Sequence, residues 1–262
     1  MSDILEKICA KKRKDLKKAK KLKPFAVVHA EALKAPPARG FLRALLANNE
    51  QGGVGFICEI KKASPSAGVI CKKFSPASLA RDYEKAGATC LSVLTDAPYF
   101  KGKNEDLIDA RSACALPVLR KDFMQDIWQI AESRAMGADC VLLIMAAVDD
   151  TLASLLYQAA TGYGMDVLVE VHNSEELARA LKLPALLIGV NSRNLKTMVT
   201  DLHGAAEIVR AVPADRFVVS ESGICTRADI DLMTGAGAKG FLIGESLLKQ
   251  GDVGAALRKL KS

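Results

Sequence analysis

The chain has 262 residues, half of them apolar, with a formal net charge of +7 and seven cysteines. That length suits one large α/β domain or two small ones, and can bury roughly 75% of the unfolded surface without disulfide or metal staples. No apolar run approaches the ~18 residues of a membrane span, and the Lys-rich N-terminus lacks the apolar stretch of a secretory leader.

Residues 1–23 hold ten Lys or Arg against Asp3, Glu6 and Asp15, so this stretch carries the whole positive excess and the remainder balances. Ile4, Leu5, Ile8, Cys9 and Leu16 recur at helical spacing, which predicts an amphipathic helix laid on the domain with its lysines as a solvated face. No aromatic residue interleaves with those lysines to stack bases, so a nucleic-acid partner is not expected. Pro36-Pro37 marks a break, and residues 39–47 read as a short helix leading to the flexible Gly52-Gly53. Residues 1–50 are therefore expected to be a helical extension on a single domain whose barrel spans 54–262.

Residues 54–60 form an apolar run typical of a buried strand, and at its end the run acquires charge. Glu59 and Lys61 lie two apart, so a strand's period points both to one face, with Lys62 on the other. Pro65, in A-S-P-S, stops the ladder. Further strands are expected at 90–95, 117–121, 139–145, 166–171, 185–190, 216–220 and 239–243. Helix starts fall between them at Ser75, Asn104, Asp149, Asn173 and Thr226, and helix ends at Gly87, Gly137 and Gly237. Eight such units from residue 54 onward take roughly 26 residues each, the pace of a (β/α)8 TIM barrel. A doubly wound sheet would have fewer strands and a G-x-G-x-x-G turn after the first, which is absent.

Such barrels place their chemistry at the C-terminal strand ends. Those ends carry Glu59, Lys61 and Ser64, then Lys121 and Asp122, Glu170, Asn191 and Arg193, then Glu221, Ser222 and Gly223, and Gly244 before Glu245. Ordinary strands end in apolar residues and turn formers, so this collection points to an active site. S-E-S-G-I and L-I-G-E-S, at strands 7 and 8, suit a phosphate cradle, since small residues let backbone N–H groups reach an anion. The substrate is expected to be a phosphorylated small molecule. Two lysines on different strands leave open either Schiff-base chemistry or cationic help to a carboxylate and a carbonyl. Glu170 is a candidate general acid or base. His29, His172 and His203 are taken as ordinary polar residues, His172 being the one that could face the rim, and Tyr83 and Trp128 as packing residues. The cysteines are scattered with no C-x-x-C, which predicts a reduced, cytoplasmic protein with no metal.

Taken together, E-I-K-K-A-S-P-S, L-S-V-L-T-D-A-P-Y-F-K-G, V-L-R-K-D-F, L-V-E-V-H, G-V-N-S-R-N-L and S-E-S-G-I resemble the indole-3-glycerol phosphate synthase family of tryptophan biosynthesis, over nearly the whole chain. The resemblance implies a lyase that closes the pyrrole ring of 1-(2-carboxyphenylamino)-1-deoxyribulose 5-phosphate with loss of carbon dioxide and water, without a cofactor. It implies Lys121 as general acid, Glu170 and Glu59 as the acid and base of dehydration, and Lys61 with Arg193 holding the carboxylate. Asn191 and Glu221 would orient the substrate and the lysines. Ser64, Ser222, Gly223, Gly244 and Glu245 fall at phosphate positions, and Phe100, Phe123, Leu142, Pro65 and Leu195 would enclose the aromatic ring. The N-terminal helix would cap the barrel mouth. Asn194, Met198 and Glu245 depart from the family pattern, and Glu245 is expected to turn away from a phosphate. A monomer is expected, and the close of the chain soon after strand 8 suggests no fused isomerase. Against this stand the neighbouring phosphoribosylanthranilate isomerase, whose Asp–Cys pair these rims do not supply, a Schiff-base lyase using Lys121, and a nucleic-acid binder using the basic arm.

Overall fold

Eight apolar segments become strands: β1 (Gly55–Ile60), β2 (Cys90–Leu94), β3 (Val118–Lys121), β4 (Cys140–Ile144), β5 (Asp166–Val171), β6 (Leu187–Asn191), β7 (Phe217–Glu221) and β8 (Gly240–Ile243). The computed structural model describes residues 3–65, 67–71, 73–194 and 198–262. The strands pair in parallel and in chain order, and β1 closes the ring by pairing with both β2 and β8. Each lies within two residues of its expected bounds. Their continuous burial reflects cover on both faces, by barrel interior and by helices. Each fully buried Leu or Ile there contributes about 1.5–3 kcal/mol.

The connecting helices begin and end on local signals. Ser75, Asp149, Asn173 and Thr226 each accept a backbone N–H of the first turn. The helix expected to start after Asn104 includes that residue, so Lys103 is its cap instead. Gly87, Gly137 and Gly237 close helices at φ of 78°, 91° and 117°, a region costly for residues with a Cβ.

The extension divides into three helices with different seats. Helix α1 (Asp3–Leu22) lies at the barrel mouth, where Leu5, Ile8 and Cys9 are buried. Helix α2 (Phe25–Lys34) packs outside, joining Leu16, Val28 and Ala32 to Trp128 and Ala131; Trp128 Nε1 donates to the Lys23 carbonyl at 2.9 Å. Helix α3 (Phe41–Glu50) plugs the opposite end. Phe41 and Leu45 are fully buried there, and Asp166, at the start of β5, accepts the Leu42 amide at 2.9 Å. Only α1 therefore caps the mouth. The seven cysteines are free thiols. Among the described residues no helix is long and apolar enough to cross a membrane.

Candidate active site

A cavity of about 1070 Å³ opens at the C-terminal strand ends, roofed by Ile4, Leu5 and Ile8 of α1. Strand periodicity and ring closure bring the predicted residues to it. Glu59, Lys61, Ser64 and Pro65 come from the first strand end, and Phe100 from the short helix Ala97–Phe100. Lys121 and Phe123 follow β3, Leu142 lies on β4, and Glu170 on β5. Asn191, Arg193, Glu221, Ser222, Gly223, Gly244 and Glu245 complete the wall. Leu195 lies outside the described residues.

Lys121 ends β3 with its Nζ 2.7 Å from Glu221 Oε2 and 3.5 Å from Glu170 Oε2. Burial opposes its charge, but the carboxylates of Glu221, Glu170 and Glu59 outweigh that and keep the ammonium protonated well above its usual range. The two glutamates differ. Burial works against the charged form of Glu170, yet Lys121 and His172 hold its carboxyl below the usual range. Burial and then the charge of Glu170 leave Glu221 raised above it despite Lys121. Glu221 Oε1 is buried and receives no donor from the described residues, while its carboxyl lies within hydrogen-bonding reach of Glu170, so the two can share a proton. A Cβ on Gly189 would stand 2.3 Å from that oxygen, so the glycine makes its room.

Across the cavity Lys61 pairs with Glu59 at 2.7 Å. Burial would raise Glu59, but Lys61 and Lys121 keep it ionised. A Cβ on Gly244 would come within 2.5 Å of Glu59 Oε1, so this second glycine admits the second acid. Asn191 Oδ1 accepts the Arg193 amide at 3.0 Å and so orients the β6 end.

At the β7 end Ser222 and Gly223 both take left-handed φ, 66° and 78°. For a serine this strain costs about 1–3 kcal/mol and persists only where neighbours enforce it. Ser192 does so: its Oγ lies 2.9 Å from the Glu221 carbonyl and 2.8 Å from that of Ser222. Glu245 does not turn away from the cavity. Its carboxylate pairs with Lys249 at 2.6 Å and faces Arg193 at 3.7 Å, because these cations hold it on the wall. Phe100 and Phe123 meet with centroids 6.2 Å apart and planes tilted by 36°, forming the apolar side of the cavity.

Three features escaped the sequence reading. Lys12 is not part of a solvated face: it is half-buried, paired with Asp96 at 2.8 Å and Asp122 at 2.6 Å. The signal was present, since Lys12 falls four residues after Ile8 and four before Leu16, on the apolar stripe. His172 contacts Glu170 and Glu176, and Ser192 supports the strained turn. Among the described residues no three His, Cys, Asp or Glu side chains are grouped to hold a metal ion.

A closed parallel barrel that gathers paired Lys–Glu groups and small-residue turns around one cavity at its C-terminal strand ends has the build of a barrel enzyme. The family model described as indole-3-glycerol phosphate synthase matches residues 5–260. The indole-3-glycerol phosphate synthase of Azospirillum brasilense is 55% identical over 260 residues, covering 99% of both chains. That of Rhodospirillum rubrum is 56% identical over 261 residues, again covering 99% of both. The chain belongs to the indole-3-glycerol phosphate synthase family. Among solved structures, thiamine phosphate pyrophosphorylase from Pyrococcus furiosus superposes with a TM-score of 0.59 at 17% identity, over 82% of this chain and 95% of that one, a likeness of fold alone.

Proposed function

We propose that Lys121 delivers the proton that opens the ring-closing reaction, and that Glu170 and Glu221 divide the later proton transfers between them. The reaction is that of the family: a carbon–carbon lyase of tryptophan biosynthesis converts 1-(2-carboxyphenylamino)-1-deoxyribulose 5-phosphate to indole-3-glycerol phosphate. The aromatic carbon bearing the carboxylate attacks the ribulose carbonyl, whose oxygen takes a proton from Lys121. Carbon dioxide then leaves, restoring the aromatic ring, and loss of the new hydroxyl as water completes the pyrrole. Dehydration needs a donor for the hydroxyl and an acceptor for the proton released. A protonated Glu221 beside an ionised Glu170 supplies both in adjacent positions, with Glu59 as the acceptor nearest Lys61.

The observation that carries this reading is Lys121 held between the carboxyl groups of Glu170 and Glu221, at 3.5 Å and 2.7 Å. The same observation argues against Schiff-base chemistry, which requires a neutral amine. Lys61 and Arg193 hold the substrate carboxylate. Ser64, Ser222, Gly223 and Gly244 receive the phosphate, and Pro65, Phe100, Phe123 and Leu142 enclose the ring. The free thiols support a reduced, cytoplasmic location.

Indole fluorescence on mixing the protein with its substrate, beside a Lys121→Ala variant, tests the assignment. The signal should grow with wild type and slow by about 10²–10⁴-fold in the variant. A variant that turns over at the wild-type rate would remove Lys121 from the role.

A further inference from the structure

Glu170 has a partner on each side. Its Oε2 faces Lys121 at 3.5 Å, while its Oε1 lies 3.2 Å from His172 Nε2. His172 stands two residues further along and just past the end of β5, so strand alternation turns both side chains the same way. The imidazole is itself fixed. Its Nδ1 is 3.0 Å from Glu176 Oε2, and the same oxygen accepts the His172 backbone N–H at 2.9 Å. The other Glu176 oxygen accepts from Asn173 Nδ2 at 2.7 Å. Backbone and side chain thus lock Glu176, Glu176 locks the ring, and the ring stands against Glu170.

His172 does not line the substrate cavity. It lines a second cavity of about 1230 Å³ outside β5, which shares Leu5 and Asn191 with the first. An imidazole in the partition between the two reaches substrate only through Glu170. Glu221 has no equivalent support, since among the described residues it pairs with Lys121 alone.

We propose that His172, braced by Glu176, is a positioning residue for the ring closure: it holds Glu170 from the side away from Lys121, making Glu170 the proton acceptor and leaving the shared proton on Glu221. The proposal rests on the reading of Glu170 as acceptor. Burial opposes a charged imidazole, but the neighbouring carboxyl groups of Glu170 and Glu176 push its pKa up to about 10, so it is a cation at neutral pH. The charged groups facing Glu170 are Lys121 from β3, Glu221 from β7 and His172 itself. Those facing His172 are Glu170 and Glu176. Arg13 and Arg179 also border the second cavity, but Arg13 is bound to Gln125 and Arg179 to Asp150.

Loss of a cation beside a carboxylate raises its pKa, so the acidic limb of the rate profile, where Glu170 becomes ionised, must move to higher pH. The experiment compares pH profiles of kcat and kcat/KM for wild type, His172→Asn, Glu176→Gln and Glu170→Gln. His172→Asn should move the acidic limb of kcat up by about one pH unit, so that kcat falls about tenfold on that limb and little near neutral pH, with little change in KM. Glu176→Gln keeps the imidazole and should move the limb the same way by less. Glu170→Gln should abolish the limb. A constant loss in His172→Asn at every pH, or an unmoved limb in both His172→Asn and Glu176→Gln, would make the histidine a packing residue and overturn the proposal. Survival of the acidic limb in Glu170→Gln would instead overturn the reading of Glu170, whatever His172 does.

Discussion

Lys12 on α1 and Lys121 on β3 each stand between two buried carboxylates, and their surroundings separate a clamp from a reactive group. Lys12 meets Asp96 at 2.8 Å and Asp122 at 2.6 Å. Asp122 also accepts from Thr95 Oγ1 and the Phe123 amide, both at 2.7 Å, and pairs with Arg120; Asp96 accepts the Tyr99 amide at 3.0 Å. Every charge in that corner is answered, and burial notwithstanding, Arg120 and Lys12 hold Asp122 below its usual pKa. Around Lys121 the count is left open: Glu221 Oε1 has no partner among the described residues, and the group borders the large cavity. A saturated network resists change, whereas an unsaturated one holds a proton that can move. Asp122 directly follows Lys121 in the chain, so the clamp also anchors the end of β3, which carries the proposed acid.

The comparison can be broken first at the clamp. Removing one partner of a buried ion network costs about 3–5 kcal/mol, because the remaining charges stay buried. Lys12→Ala should therefore loosen α1 and raise amide hydrogen exchange in that helix about 10²-fold or more, each tenfold being about 1.4 kcal/mol. Unchanged protection of α1 would show that Lys12 is an ordinary surface lysine.

A smaller effect is expected at Glu221. Its carboxyl keeps a proton that an ordinary glutamate has lost, so activity depending on that proton falls as pH rises through the raised pKa. Glu221→Gln should cut kcat roughly tenfold near neutral pH, within the range of general-acid effects, and remove this alkaline limb. A limb that stays in place would assign it to another group.

The smallest change is expected at Glu245, where a third carboxylate faces Arg193 and Lys249 on the proposed phosphate side. Glu245→Ser removes a negative charge from the site of an anionic substrate. It should lower KM a few-fold with kcat held, and the gain should shrink as salt screens the charge. A raised KM would mean that Glu245 orders the cations that bind the phosphate.

Most of the barrel was legible because each strand is a short apolar run between a helix end and a helix cap, and both signals are local. The strand-end acids and bases were legible for the same reason: Glu59 and Lys61, or Lys121 after V-L-R, interrupt a pattern that otherwise stays apolar. Lys12 was misread because a charged residue on an amphipathic helix is usually solvated. Its burial depends on Asp96 and Asp122, some 84 and 110 residues further along the chain. His172 stood out only as the histidine that could face the rim, because its spacing from Glu170 carries no distance and says nothing of Glu176. Glu245 was expected to turn away, since its cations Arg193 and Lys249 were not yet seen to flank it.

The residues by themselves determined the eightfold alternation, the level of the chemistry on the barrel and the residue types available there, all of which follow from periodicities of two and 3.6 and from local caps. Only the tertiary structure decided which carboxyl groups crowd Lys121 and which lysine is a clamp. Those properties follow from distances between side chains of β3, β5, β7 and α1, set when the barrel closes, and in a buried site a change of an ångström or two in such a distance outweighs the identity of the group.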